Sequence, residues 1–121
     1  MDPADAYLAV QSGADALIVS NHGGRQLDGA PATIDALLAI VSAVGSDIDV
    51  WLDGGIRTGQ DIFKALALGA KGTMNGRPCI YGLGAMGEGG MTKALEILTR
   101  EPIHGGYLRL SPPQSCFEAY P

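Results

Sequence analysis

Three short segments of this chain carry residue types that could do chemistry together: Ser20-Asn21-His22-Gly23-Gly24-Arg25, Asp53-Gly54-Gly55-Ile56-Arg57 and Gly76-Arg77. His22 offers a proton acceptor, because an imidazole gains and loses its proton near neutral pH. Arg25, three positions on, can grip a carboxylate through two parallel hydrogen bonds, a fork that lysine cannot reproduce. The pair reads as a base and a clamp for a small acid. Each residue also has a plainer reading: His22 as a loop histidine bonded to a backbone carbonyl, and Arg25 as the partner of Asp28 in a surface ion pair, which contributes little.

The other two segments read as an anion seat. Arg57 stands just beyond two glycines and ahead of a helix start, and Gly76-Arg77 repeats glycine and cation one strand later. Backbone amides freed of side chains, a helix amino end and a guanidinium together favour phosphate. Asp53 would repel that phosphate, so its carboxylate is expected to bond backbone amides or a ligand hydroxyl instead. The alternative is a pair of ordinary strand-end turns with solvated arginines. His104-Gly105-Gly106 echoes the first motif but lacks an arginine three residues on, and reads as structural; Trp51 and Met74 read as strand packing residues.

The elements that must position these residues alternate. Ala4 to Ser12 forms a helix stopped by Gly13, and the continuous apolar run Ala16-Leu17-Ile18-Val19 suits a strand covered on both faces in a parallel sheet. Thr33 is placed to cap a helix whose apolar face is Ile34, Leu37, Leu38, Ile40 and Val41, ended by Gly45. A second strand spans Ile48 to Leu52, a helix opens at Thr58 or Gly59 and closes at Gly69, and a short strand lies around Gly72-Thr73-Met74. After Gly76-Arg77-Pro78 a last helix is expected to run from Met91 through Leu98, beyond Gly89-Gly90. This is an α/β pattern of βαβ units, whose right-handed crossovers build a parallel sheet. Ligands of such sheets sit outside the carboxyl ends of the strands, where all three motif segments fall.

Composition sets the bounds. The chain has 121 residues, 46% of them hydrophobic, enough for one domain with a real core. Eight basic against thirteen acidic residues give −5, which disfavours nucleic acid or an anionic membrane as the main partner. Eighteen glycines, gathered at the ends of apolar runs, do not suit a helical bundle. Cys79 and Cys116 lack metal or disulfide spacing, so no metal is expected. With no signal-peptide pattern at Met1-Asp2-Pro3-Ala4-Asp5 and no apolar run near the roughly 20 residues that span a bilayer, a cytoplasmic location is expected. From Glu101 the prolines Pro102, Pro112, Pro113 and Pro121 point to an irregular tail over 101–121 after a folded unit over 1–100.

Taken together, the run from Gly13 to about Leu98 closely resembles the C-terminal part of the FMN-dependent α-hydroxy acid dehydrogenases and oxidases. The resemblance rests on residues 13 to 28 (GADALIVSNHGGRQLD), 52 to 57 (LDGGIR), 65 to 71 (ALALGAK) and 76 to 78 (GRP), in that order. It implies a TIM (β/α)8 barrel of which these are about three βα units, strands six to eight. His22 would be the active-site base and Arg25 the holder of the substrate carboxylate. Ser20 would touch the flavin, while Asp53, Gly54, Gly55, Ile56, Arg57, Gly76 and Arg77 would hold FMN. Asn75 departs from the family, which has an aliphatic strand residue there.

The implied activity is oxidation of a small L-2-hydroxy acid, of the lactate or glycolate class, to the 2-oxo acid. A full barrel takes about 250 residues, so this chain reads as a fragment that is a poor enzyme alone. Three strands cannot close a barrel, and the open edges favour self-association or pairing with the missing N-terminal half. A noncatalytic FMN- or phosphate-binding half-barrel is the alternative. A third reading is a different phosphate-using barrel enzyme related to IMP dehydrogenase, although that family's cysteine loop is not visible here.

Overall fold

The computed structural model describes residues 1–104. In chain order the elements are α1 (Pro3–Gln11), β1 (Ala16–Ser20), α2 (Thr33–Val44), β2 (Asp49–Asp53), α3 (Gly59–Ala67), β3 (Gly72–Met74) and α4 (Arg77–His104), with a single 3-10 turn at His22–Gly24. The strands form one parallel sheet in the order β1-β2-β3. Each crossover carries a helix, as parallel pairing requires.

Among the described residues the sheet is covered on one face only. Val19, Val50 and Leu52 point to the same side and pack against Leu37, Ile40 and Val44 of α2 and Ala65 of α3. On the other face Ile18 pairs with Trp51, and these two are 52% and 36% exposed; Met74, at the end of β3, is 46% exposed. The expectation of a strand covered on both faces is therefore corrected. A continuous apolar run names the residues that avoid water in a finished sheet, and says nothing of which face has its cover. Trp51 does pack, as expected, across Gly72 of β3, where a side chain would overlap the indole ring.

Local chemistry explains the helix ends. Asp2 caps α1 by accepting from Ala4 N at 2.8 Å, with Pro3 at its first position. Thr58 caps α3 in a reciprocal box: its hydroxyl oxygen accepts from Asp61 N at 3.3 Å, and the Asp61 carboxylate accepts from Thr58 N at 2.9 Å. Thr33 does not cap α2 as expected. It is the first helical residue, and its buried hydroxyl donates instead to the carbonyl of Gly54 at 2.9 Å, tying α2 to the loop after β2.

The region after β3 differs most from expectation. Helix begins at Arg77, not Met91, and Gly89-Gly90 lie within it. A break at Met86 and Gly87, where φ is −143° and 62°, divides α4 in two. The halves meet at Gly82 and Gly90, each of which leaves no room for a Cβ beside the other's backbone. The glycines that obscure helical propensity are thus the ones that let the two halves touch. Glu101 belongs to α4 rather than to an irregular tail, and its carboxylate accepts from Gly59 N at 2.6 Å at the start of α3. The rest of the expected tail, 105–121, lies outside the described residues.

Candidate functional site

The carboxyl ends of the three strands lie side by side. Ser20 is paired with Asp53, and Asp53 with Met74, so the loops that follow emerge next to one another. Between them lies an open cleft of about 540 Å³. It is lined by His22 and Arg25 from the first loop, Asp53 and Arg57 from the second, and Gly76 and Arg77 from the third. Segments up to 55 residues apart in the sequence are thus brought to one mouth, as the sequence implied.

The charge of this mouth is opposite to that of the chain. Three guanidiniums and one imidazole line it with a single carboxylate, Asp53, in a protein of net charge −5. Such a cleft attracts anions and orients them. The side chains of Arg25 and Arg57 make no ion pair among the described residues, and Arg25 does not pair with Asp28. Both are exposed and available to a ligand.

Glycine shapes the floor. Gly54 and Gly55 have φ of 95° and 80°, conformations that side chains resist, and a Cβ on Gly55 or Gly76 would meet only open space. At Gly54 a Cβ would press on Asn21 Oδ1 at 2.9 Å. Ile56 turns its side chain into the core and can offer a ligand only its backbone. The amide of Arg57 donates to Asp61 Oδ2 at 3.1 Å, which fixes the backbone from which its guanidinium extends.

The first loop is held in an unusual conformation. His22 has φ of 56°, the one positive value at a non-glycine among the described residues, and Gly23 and Gly24 follow at 65° and 71°. Strain of this kind persists only where surrounding bonds enforce it. Besides the bonds within the turn itself, His22 N donates to Ser20 Oγ at 3.1 Å, and Arg77 Nη2 donates to Gly23 O at 2.9 Å.

Ser20 is the expected site residue that does not line the cleft. Its hydroxyl donates to Asp53 Oδ2 at 2.6 Å, so among the described residues the carboxylate meets a neighbouring strand's side chain; of the two partners expected of it, backbone amides and a ligand hydroxyl, the first is not the one found. Sequence reasoning also missed Met74, Pro78 and Ile80, which add an apolar wall to the cleft. Met74 was expected to pack within the sheet; the alternation of strand side chains, which puts it on the face of Asp53, is the signal that could have found it. Cys79 is buried and free. Among the described residues no cluster of His, Cys, Asp and Glu is placed to hold a metal ion, and no helix is long and apolar enough to cross a membrane.

Comparison with known proteins agrees with this fold. The profile of the family described as FMN-dependent dehydrogenase matches residues 1–104. The chain is 57% identical over 97 residues to the peroxisomal (S)-2-hydroxyacid oxidase GLO3 of Arabidopsis thaliana, covering 80% of this chain and 27% of that protein. It is 58% identical over 97 residues to 2-hydroxyacid oxidase 1 of Mus musculus, covering 80% and 26%. Among solved structures, mandelate oxidase with benzoyl-formic acid superposes with a TM-score of 0.80 at 48% identity, over 84% of this chain and 30% of that one. A mandelate oxidase variant carrying a monooxide FMN adduct matches equally, at 0.80 and 48%, over 84% and 32%. The chain thus spans about a quarter of the length of these curated relatives.

Proposed function

This chain belongs to the FMN-dependent dehydrogenase family, and from that premise we propose that it forms part of an oxidoreductase that converts a small L-2-hydroxy acid to the 2-oxo acid. The observation that carries the reading is the gathering of His22, Arg25, Arg57 and Arg77 around one cleft at the ends of parallel strands. The donor set fits FMN: two guanidiniums behind glycine turns for the phosphate, and a cleft with an apolar side at Met74 and Ile80 for a planar ring.

When bound, FMN supplies the two-electron acceptor that an alcohol carbon needs to become a carbonyl. The chain's own residues do the rest. Arg25 fixes the substrate carboxylate by a two-point fork, which orients the α-carbon and its hydroxyl. His22 accepts the substrate proton. Arg57 and Arg77 neutralise the phosphate, with Gly54, Gly55 and Gly76 leaving space for its approach. Glycolate and lactate are the expected substrate class. The relatives, 2-hydroxyacid oxidase and mandelate oxidase, support a 2-hydroxy acid without choosing among its members.

We place the three strands as the sixth to eighth of a (β/α)8 barrel. The order β1-β2-β3 is what consecutive barrel strands require, and the open face bearing Ile18 and Trp51 is the one that would look into the barrel. That open face also favours a second reading, in which the chain binds FMN or another phosphorylated ligand without catalysis.

One experiment separates the two. The chain is loaded with FMN and mixed anaerobically with L-lactate or glycolate, alone and with a separately produced chain carrying the first five strands of a family member. Bleaching of the flavin band in either mixture, lost in His22→Ala and Arg25→Ala, supports the oxidoreductase. Flavin binding with no bleaching in both, unaltered by His22→Ala, supports the noncatalytic reading.

A further inference from the structure

A serine hydroxyl has one proton to give. At Ser20 that proton goes to Asp53 Oδ2, at 2.6 Å across the β1–β2 pair, so the oxygen's lone pairs are left to accept, and they accept the amide of His22 at 3.1 Å. A charge-assisted bond of this length is the stronger of the two and decides which way the hydroxyl turns. The residue it steadies is the one non-glycine with a left-handed backbone among the described residues. Ser20 itself lies outside the lining of the cleft, while His22 and Asp53 line it.

We propose that Asp53, acting through Ser20, is a positioning residue for His22: by holding the Ser20 proton it makes the serine oxygen an acceptor for the His22 amide and so maintains the backbone conformation that sets the imidazole at the cleft. The proposal rests on the reading of His22 as the base. It gives the carboxylate a role before any ligand arrives, and explains why an acidic group stands in a cleft otherwise built for anions. The hold is shared with Arg77, whose guanidinium grips the next carbonyl, Gly23 O, at 2.9 Å. The loop is thus fixed from β2 on one side and from α4 on the other.

The test is amide hydrogen exchange at His22, read by NMR on the full chain without flavin, in Asp53→Ala, Ser20→Ala, the double variant and Asp53→Asn. Exchange reports local opening of a single hydrogen bond, and the sheet amides of Val19 and Leu52 report whether each variant is folded. The expected result is exchange at His22 faster by about 10-fold in each alanine variant, as for one lost hydrogen bond, with no further increase in the double variant. Asp53→Asn, which keeps an oxygen to accept the serine proton, should return toward the original rate. An unchanged rate in Asp53→Ala, or additive effects in the double variant, overturns the proposal. Should Asp53→Ala lose its sheet protection, Asp53→Asn with Ser20→Ala decides: fast exchange in Ser20→Ala but near-original exchange in Asp53→Asn is required. An FMN titration on the same samples keeps the two questions apart, since flavin that never binds counts against the functional reading and leaves the exchange result standing.

Discussion

The guanidinium of Arg77 and the carbonyl of Gly23, brought together across the cleft mouth, are joined at 2.9 Å. A Cβ on Gly23 would lie 3.3 Å from Arg77 Nη2, on a backbone whose φ is 65°. Gly23→Ala should therefore lower stability by about 1–2 kcal/mol through the left-handed backbone alone, and also push Arg77 from its carbonyl. Chemical denaturation reads the first effect. Unchanged stability would mean that the loop does not adopt this conformation.

A second expectation concerns the contact between Trp51 and Gly72. Added bulk at Gly72 must displace the indole from its seat on β3. Gly72→Ala should cost about 1–3 kcal/mol, as overpacking does, and shift the emission of the chain's single tryptophan. A variant with the original midpoint and emission would show that the ring is not seated there.

Asn75 offers the opposite case. Its Oδ1 is buried and accepts no hydrogen bond among the described residues. Replacing such a group by an apolar one removes a cost of about 1–3 kcal/mol, so Asn75→Val should raise the unfolding midpoint. A lower midpoint would show that the amide has a partner in solution.

At Asp61 burial raises the pKa, but hydrogen bonds from Arg57 N and from the Thr58 hydroxyl and amide, with Lys64 nearby, outweigh it and hold the carboxyl below its ordinary 3.8. A lowered folded pKa means that the charged form favours folding. That contribution is complete above the unfolded value and is lost as pH falls through the lower folded one. Asp61→Asn should be less stable at pH 7 by on the order of 1 kcal/mol, as for other lost caps, with the gap closing in strong acid. A gap independent of pH would contradict this.

Much of the architecture could be read from the residues themselves. The apolar runs at 16–19 and 48–52, punctuated by Gly13, Gly45 and Gly69, name the strands and helix ends, and parallel pairing then puts the three motif loops together. What could not be read depends on contacts between distant segments. The Ser20–Asp53 bond joins residues 33 apart, and only the strand register brings them opposite. The first half of α4 is hidden because Gly82 and Gly84 weaken helical propensity, and the reason for Gly82 lies at Gly90. Thr33 has the composition of a cap, yet Gly54 O is a better use for its buried hydroxyl.

The most direct test of the account is flavin fluorescence titration of the chain and its Arg25→Ala, Arg57→Ala and Arg77→Ala variants. If the cleft seats the FMN phosphate, binding saturates at one flavin per chain. It then weakens about 10- to 100-fold in the Arg57 and Arg77 variants, the range for one charged hydrogen-bonding partner, and changes little in Arg25→Ala. Equal flavin affinity in all four proteins would contradict it.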